Sequence, residues 1–192
     1  MTRKAKAVFL SVFFKGEWRH AETSDETSRL VAEVVEGLQG EKEDAGSWYP
    51  GEDAWFCIAN RRHTETDPGG GSNLRVAINR RYEYGALVWF VDEGFPEEGE
   101  VHNSVWISDN PEPLDFDPRV VSDPGYPLFH DPASTLPLSR IQAAVAEFCC
   151  LRTGNRPECI NWVAGHMNGQ RLDRPAMVEV VEDPEIDWDS LR

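Results

Sequence analysis

Short apolar runs separated by polar stretches dominate the amino-terminal half of the chain and predict β-strands. Leu74, Val76 and Ile78 alternate with polar or small residues, and this period of two is typical of a half-buried strand. The intervening stretches are rich in Gly, Pro and charged residues, which favours short connections and an antiparallel sheet. The predicted strands are Lys6–Phe14, Glu17–His20, Ala54–Asn60, Leu74–Asn79, Ala86–Val91, Val101–Ser108 and Cys159–Val163.

Two segments carry apolar residues at the spacing of a helix face. Thr23 and Glu26 form a capping-box start for the first helix, which we predict over Ser24–Gln39. Pro137 opens the second helix, and Gly154 is predicted to end it. The two apolar faces consist of Leu30, Val31, Val34, Val35 and Leu38, and of Ile141, Ala144, Val145, Phe148 and Cys149.

Together these elements predict one α+β domain, an antiparallel sheet of about six strands with two helices packed on one face. The domain spans residues 1–163, and residues 164–192 form an irregular acidic C-terminal extension in which Met177–Val181 is at most a marginal strand. Two segments inside the domain show no periodicity, the polar connector Glu41–Asp53 and the long, acidic, Pro-rich stretch Asp109–Thr135. We expect irregular connections there.

Charge disfavours two classes of partner. The chain has 192 residues with 34 acidic and 19 basic ones, a formal net charge of −15, so its surface repels phosphate backbones and anionic lipid. Direct binding of nucleic acid or of a membrane is therefore not expected.

The longest apolar run, Ala7–Phe14, is less than half the length of a membrane span. No small-residue cleavage site follows it, so we expect a buried strand rather than a signal peptide. The four cysteines fit reduced thiols, and the cytoplasm is the expected compartment.

The sequence offers one weak catalytic motif. His63-Thr64-Glu65 matches the H-x-E element in which zinc deaminases place a metal ligand beside an acid/base glutamate. That chemistry also needs a P-C-x-x-C segment, and Pro157-Glu158-Cys159 is not followed by the second cysteine. A small zinc-dependent hydrolase that uses His63 and Glu65 is thus the least favoured alternative. We predict no catalytic residues, no metal ligands and no cofactor.

Charge is segregated along the chain. Tyr82–Pro118 contains ten acidic residues and no Lys or Arg, with aromatic residues among the acids. An acidic surface with aromatic anchors is the make-up expected of a protein that captures a basic partner, although a solubilising face over an ordinary core has the same composition. The candidate partner-binding residues are Glu97, Glu98, Glu100, Trp106, Asp109, Glu112, Asp115, Phe116 and Asp117.

The segments Leu136–Phe148 (LPLSRIQAAVAEF) and Thr153–Trp162 (TGNRPECINW) resemble the ending of a known family. They are similar to immunity protein family one of bacterial polymorphic toxin systems, whose members run from an I-P-L helix start through A-V-x-E-F and T-G-x-R-P to a final tryptophan. The resemblance covers about Val8–Trp162, and its specific part is this C-terminal stretch. Each motif residue has an expected structural role, in the core, at a helix end, in a bend or on a buried strand. We therefore expect these residues to hold the fold rather than contact a partner. They are Phe148, Gly154, Arg156, Pro157 and Trp162.

The resemblance implies a cytoplasmic inhibitor that binds a cognate toxin domain and has no catalytic activity. Some members are similar to the inhibitor of a double-stranded-DNA cytosine deaminase toxin, which makes a nucleic-acid-targeting deaminase the expected partner. Such a toxin presents a basic groove, and the acidic candidates would occupy it as a mimic of the phosphate chain, or Trp106 or Phe116 would plug its pocket. An acidic adaptor that binds a non-toxin partner is the alternative from another class.

Overall fold

The computed structural model describes residues 8–67, 70–92, 105–112, 114–125 and 128–175. Twelve strands, two α-helices and a short 3₁₀ helix occur within these residues. In chain order they are β1 (Phe9–Phe14), β2 (Glu17–Ala21), α1 (Ser24–Gly37), β3 (Lys42–Asp44), β4 (Ser47–Tyr49), β5 (Asp53–Ala59), β6 (Ser72–Asn79), β7 (Tyr84–Val91), β8 (Val105–Asp109), β9 (Val121–Asp123), β10 (Leu128–Phe129), the 3₁₀ helix (Pro132–Ser134), β11 (Leu136–Pro137), α2 (Leu138–Leu151) and β12 (Asn161–Gly165). No helix in the described ranges is long and apolar enough to cross a bilayer.

Eight of the described strands form one antiparallel sheet in the order β12-β8-β7-β6-β5-β1-β2, and β11 pairs with β7 outside this path. At its centre, Leu74 of β6 lies opposite Phe56 of β5 and Trp89 of β7. The large sheet and the two helices confirm the predicted α+β class. The sheet also includes β11, whose two residues are too few for a period of two to reveal.

Both helices pack on one face of this sheet and against each other. Leu30 and Val34 of α1 are buried in the same cluster as Ile141 and Phe148 of α2. The sheet contributes to that cluster Leu10, Val12, Phe14, Ala54, Phe56, Ile58, Leu74, Val76, Ile78, Leu87 and Trp89. Removing this apolar surface from water is the main stabilising contribution to the fold.

The helix ends follow local capping geometry. Thr23 caps α1, since its hydroxyl accepts the N–H of Glu26 while the Glu26 carboxylate accepts the N–H of Thr23, as the capping-box pattern predicts. The predicted end of the second helix at Gly154 is wrong, because Arg152 already adopts a left-handed conformation, with φ of 50°, and closes α2 first. Gly154, with φ of 77°, turns the chain afterwards, and its carbonyl accepts a hydrogen bond from the Ser72 hydroxyl.

Both stretches predicted to be irregular contain short strands. The connector Glu41–Asp53 forms the ribbon β3–β4, whose turn places Ala45 and Gly46 at φ of 49° and 80°. Positive φ at both central residues is typical of the type I′ turn, which suits the twist of a hairpin. The stretch Asp109–Thr135 contains the ribbon β9–β10 and the 3₁₀ helix. Strands of two or three residues leave no readable period, so the sequence pattern could not reveal them.

A buried arginine lies on the face of the sheet opposite the helices. The Arg75 side chain of β6 is only 8% exposed, and its Nε donates to the carboxylate of Asp53. Its Nη1 donates to the carbonyl of Met167 at 2.9 Å, and its Nη2 donates to the carbonyl of Ser122. The charge is therefore paired, and one guanidinium holds two separate chain segments against the sheet.

Those two segments are residues 118–135 and 164–175. The first is also held by Asn79, which donates from Nδ2 to the carbonyl of Pro118 at 2.9 Å. The second was expected to begin an irregular extension, yet it packs on the sheet through the contacts of Arg75. Met177–Val181 and the rest of that extension lie outside the described residues.

Gly165, at the end of β12, lies where a side chain does not fit. A Cβ atom there would overlap Cδ1 of Ile107 and would lie 2.7 Å from the carbonyl oxygen of Gln170. We expect Gly165→Ala to lower the free energy of unfolding by about 1–3 kcal/mol, since overpacking forces neighbouring atoms apart. Gly125→Ala is the control, because the nearest atom there lies 3.4 Å away. Urea unfolding compares the two variants, and equal stability would contradict the prediction.

His130 makes the fold sensitive to acid. The side chain is buried, and its Nδ1 has no hydrogen-bond partner among the described residues. Burial lowers the pKa of His130 to about 3, and the nearby charge of Arg75 acts in the same direction. An unfolded imidazole has a pKa of about 6.5, so between these values the unfolded chain binds one more proton than the folded chain. The stabilising contribution is complete above the unfolded pKa and is lost as the pH falls, at about 1.4 kcal/mol per pH unit.

We therefore expect the free energy of unfolding to fall between pH 6.5 and pH 5 by about 2 kcal/mol more in the wild type than in His130→Leu. The matched control is His166→Leu, which replaces an exposed histidine. Urea unfolding at the two pH values measures all three proteins. An unchanged slope in His130→Leu would assign the acid sensitivity to other groups.

Candidate partner-binding surface

The acidic loop, residues 109–119, follows the last residues of β8 and is fixed by neutral hydrogen bonds near both ends. Close to its start, Asn110 donates from Nδ2 to the carbonyl of Thr135 at 2.9 Å. Close to its end, Asn79 holds the carbonyl of Pro118. Because these bonds use amide groups and backbone carbonyls, they position the loop without consuming its carboxylates.

Three carboxylates of the acidic loop face solvent, those of Glu112, Asp115 and Asp117. None of them forms an ion pair with a residue that the structure describes. Asp117 accepts the backbone N–H of Arg119 at 2.7 Å, and the N–H of Glu112 bonds to the side chain of Asn110. These contacts shape the loop and leave its negative charge free to act on a partner.

Phe116 lies among these carboxylates and keeps 42% of its surface exposed. Its ring is 5.9 Å from that of Tyr84, edge to face, and 5.9 Å from that of Tyr82. The two tyrosines support the ring from one side, so Phe116 is held in place while its other side remains accessible. The structure therefore brings four of the candidate residues, Glu112, Asp115, Phe116 and Asp117, to one surface.

Two other candidates have structural partners. Asp109 forms an ion pair with Arg171 at 2.8 Å, and Arg171 also binds Asp173 at 2.8 Å. Trp106 is half-buried against the core under the helices, and the guanidinium of Arg156 lies 4.0 Å from its ring centroid. Tyr84 packs on the opposite face, so Trp106 and Phe116 do not lie together. The remaining candidates, Glu97, Glu98 and Glu100, lie outside the described residues.

Three of the family-motif residues, Arg156, Pro157 and Trp162, contact one another between α2 and β12. Phe148 is buried in the core, and Arg156 lies between the rings of Trp106 and Trp162, at 4.0 and 5.9 Å. Trp162 donates from Nε1 to the carbonyl of Pro157 at 2.7 Å. This geometry supports the interpretation that these residues hold the fold.

The H-x-E pair is divided between core and solvent. His63 is fully buried, its ring stacks on Trp18 at 5.2 Å, and its backbone N–H donates to the Ser11 hydroxyl. Burial lowers the pKa of His63, while Glu65 is exposed. Within the described residues, no group of three or more His, Cys, Asp or Glu side chains could hold a metal ion.

A cavity of about 570 Å³, referred to below as the arginine cavity, opens beside the acidic loop. Trp48 of the ribbon β3–β4 and Phe129 of β10 form part of its wall, with ring centroids 6.3 Å apart. Asp117 lines it too, so the acidic loop and the cavity are continuous. Its charged lining residues are Asp117, Arg119, Asp131, Arg171 and Arg174.

Sequence reasoning missed this cavity because its walls are distant along the chain. Trp48 lies in the polar connector, Phe129 in the Pro-rich stretch and Arg174 in the C-terminal extension, three regions without a readable pattern. Trp48 was the available signal in the sequence. A large aromatic residue in a polar connector does not belong to a predicted core, so it could have indicated a surface site.

A protein-family model described as Immunity protein Imm1 matches residues 16–164 of this chain. Searches among curated proteins and among solved structures give no match. The matched range runs from the turn before β2 into β12 and includes the acidic loop. It ends before residues 168–175, which wall one side of the arginine cavity.

Proposed function

Since the chain belongs to the Imm1 immunity protein family, we propose that it neutralises its cognate toxin by covering the basic substrate site of a nucleic-acid-targeting deaminase. Family membership supports the toxin-neutralising function, and we propose that the chain acts without catalysis of its own. The chemistry of the toxin and the mode of blocking are the proposed part. The proposed location is the cytoplasm of the producing cell, and the four cysteines, all unpaired, are compatible with it.

The exposed carboxylates of the acidic loop, which form no ion pair among the described residues, are the main support for the blocking mechanism. Glu112, Asp115 and Asp117 are exposed on a loop that hydrogen bonds hold near both ends. An enzyme that acts on nucleic acid must offer a positively charged site to the phosphate chain. Exposed carboxylates on a chain of net charge −15 attract such a site over a long range and raise the rate of association.

Phe116 supplies the apolar anchor of the proposed interface. Interfaces draw much of their binding energy from a few aromatic or arginine residues at the centre, surrounded by a polar rim. Phe116 lies among the three carboxylates and is supported by Tyr82 and Tyr84, so it loses little conformational freedom on binding. The same arrangement would serve an acidic adaptor with a non-toxin partner, and a functional assay must separate the two.

Co-expression with the toxin domain encoded beside this chain tests the function. We expect the toxin alone to arrest growth, the pair to grow, and the two proteins to co-purify as a stable 1:1 complex. Sequencing DNA from unprotected cells then reports cytosine-to-thymine changes if the toxin is a DNA deaminase. An arrest that this chain does not relieve, with no complex, would contradict the immunity function and favour the adaptor.

Charge reversal tests the blocking surface. We expect Glu112→Lys, Asp115→Lys and Asp117→Lys together to weaken toxin binding by about a hundredfold or more, mainly through slower association, and to remove its dependence on salt. The matched control reverses three exposed acids elsewhere, Glu17→Lys, Glu36→Lys and Glu65→Lys, and changes the net charge equally. Kinetic binding assays at low and high salt compare the two triple variants. Equal affinities would show that net charge, not the acidic loop, attracts the toxin.

A further inference from the structure

The arginine cavity brings three arginine side chains together in an otherwise acidic chain. Three arginines and two aspartates line it, whereas the whole chain carries a net charge of −15. Asp131 accepts the N–H of Ala133 at 2.8 Å and is paired with Arg174, whereas Asp117 accepts the N–H of Arg119 and is the cavity residue that also belongs to the acidic loop. Of the arginines, Arg171 is engaged by two carboxylates as described above.

The other two arginines retain donors. Arg119 uses Nε to bind Glu41 at 2.7 Å, and its two terminal nitrogens have no hydrogen-bond acceptor among the described residues. Arg174 meets Asp131 through Nη1 alone, at 3.3 Å, and its side chain is 46% exposed. Terminal guanidinium nitrogens of this kind bind a carboxylate through two parallel hydrogen bonds.

Two aromatic side chains, Phe129 and Trp48, line the arginine cavity beside these arginines. The guanidinium of Arg119 lies 4.1 Å from the ring centroid of Phe129, which fixes its plane at the cavity. Trp48 closes the other side and is 47% exposed, with its Nε1 bonded to Glu41 at 3.3 Å. An exposed tryptophan beside an arginine at the edge of a pocket is the composition of an interface hot spot.

Part of the cavity wall lies beyond the range that the family model matches. Residues 168–175 follow the end of the Imm1 match at residue 164, and the ion pair of Arg171 with Asp109 attaches them to the matched domain. An inhibitor that must select one toxin needs contacts that a wrong partner cannot satisfy. Residues 168–175 lie outside the matched range and contribute to the cavity, so they are placed to supply a contact of this kind.

We propose that the arginine cavity receives a carboxylate side chain of the cognate toxin, which Arg119 and Arg174 bind while Trp48 covers it. The proposal rests on the proposed function and adds a specificity contact to the acidic loop. Binding of a toxin without the acid would desolvate the free terminal N–H groups of Arg119 and Arg174 and give them no acceptor, and a toxin with a basic residue there would be repelled. Opposite charges at neighbouring positions thus fix the register of the complex.

Binding of a catalytically inactivated toxin to full-length variants tests the cavity. We expect Arg119→Gln, Arg174→Gln and Trp48→Ala each to weaken binding by about tenfold or more, chiefly through faster dissociation. The matched controls are Arg29→Gln and Leu151→Ala, which remove an exposed arginine and an exposed apolar side chain from α1 and α2. Thermal unfolding of every variant establishes that the fold is retained.

A double-mutant cycle identifies the toxin group. Each surface Asp or Glu of the toxin is changed to Asn or Gln, and one such change should weaken binding to the wild type yet add nothing to the loss in Arg174→Gln. Cavity variants that bind within about twofold of the wild type, or the absence of any coupled toxin acid, would overturn the cavity proposal while growth rescue by the wild type stands. Failure of the wild type itself to rescue growth would overturn the proposed function and the cavity with it.

Discussion

A guanidinium can be kept in a protein interior only if its charge and its N–H groups are matched by acceptors, and this constraint acts on Arg75. Its acceptors are Asp53 on the neighbouring strand and the carbonyls of Ser122 and Met167 in two other parts of the chain. The hydrogen bonds that Arg75 requires therefore hold both segments against the face of the sheet opposite the helices. The arginine cavity lies between these segments, and the acidic loop leads into the first of them.

Acidic residues of similar sequence context have opposite roles in this structure. Asp109 is tied to the buried Arg171 and helps attach residues 164–175, whereas Asp117 is exposed and bonds only to a backbone N–H among the contacts described. The difference depends on which arginine reaches each carboxylate, not on the local sequence. Two other arginines pack on aromatic rings. The guanidinium of Arg156 lies over the ring of Trp106, and that of Arg119 lies over the ring of Phe129.

Local patterns predicted much of the fold. The apolar spacing of both helices and the capping box at Thr23 depend on contacts within a few residues, and the structure has them. Gly154 was misplaced as a helix end because Arg152 took the left-handed conformation that glycine usually supplies. In the candidate site, Phe116 and its three neighbouring acids form one surface, but Trp106 does not join them. A tryptophan in a strand points to one of two faces, and its sequence alone does not say which.

The sequence by itself determined the fold class, the strong negative charge and the segment in which unpaired acids would occur, since these follow from composition and from short-range periodicity. Only the tertiary structure decided which acids remain unpaired and that Trp48, Phe129 and Arg174 meet around one cavity. Those facts depend on contacts between residues far apart in the chain, and buried arginines select these contacts by their need for acceptors. A local sequence pattern does not reveal these contacts, because two of the three acceptors of Arg75 are backbone carbonyls, which every residue carries.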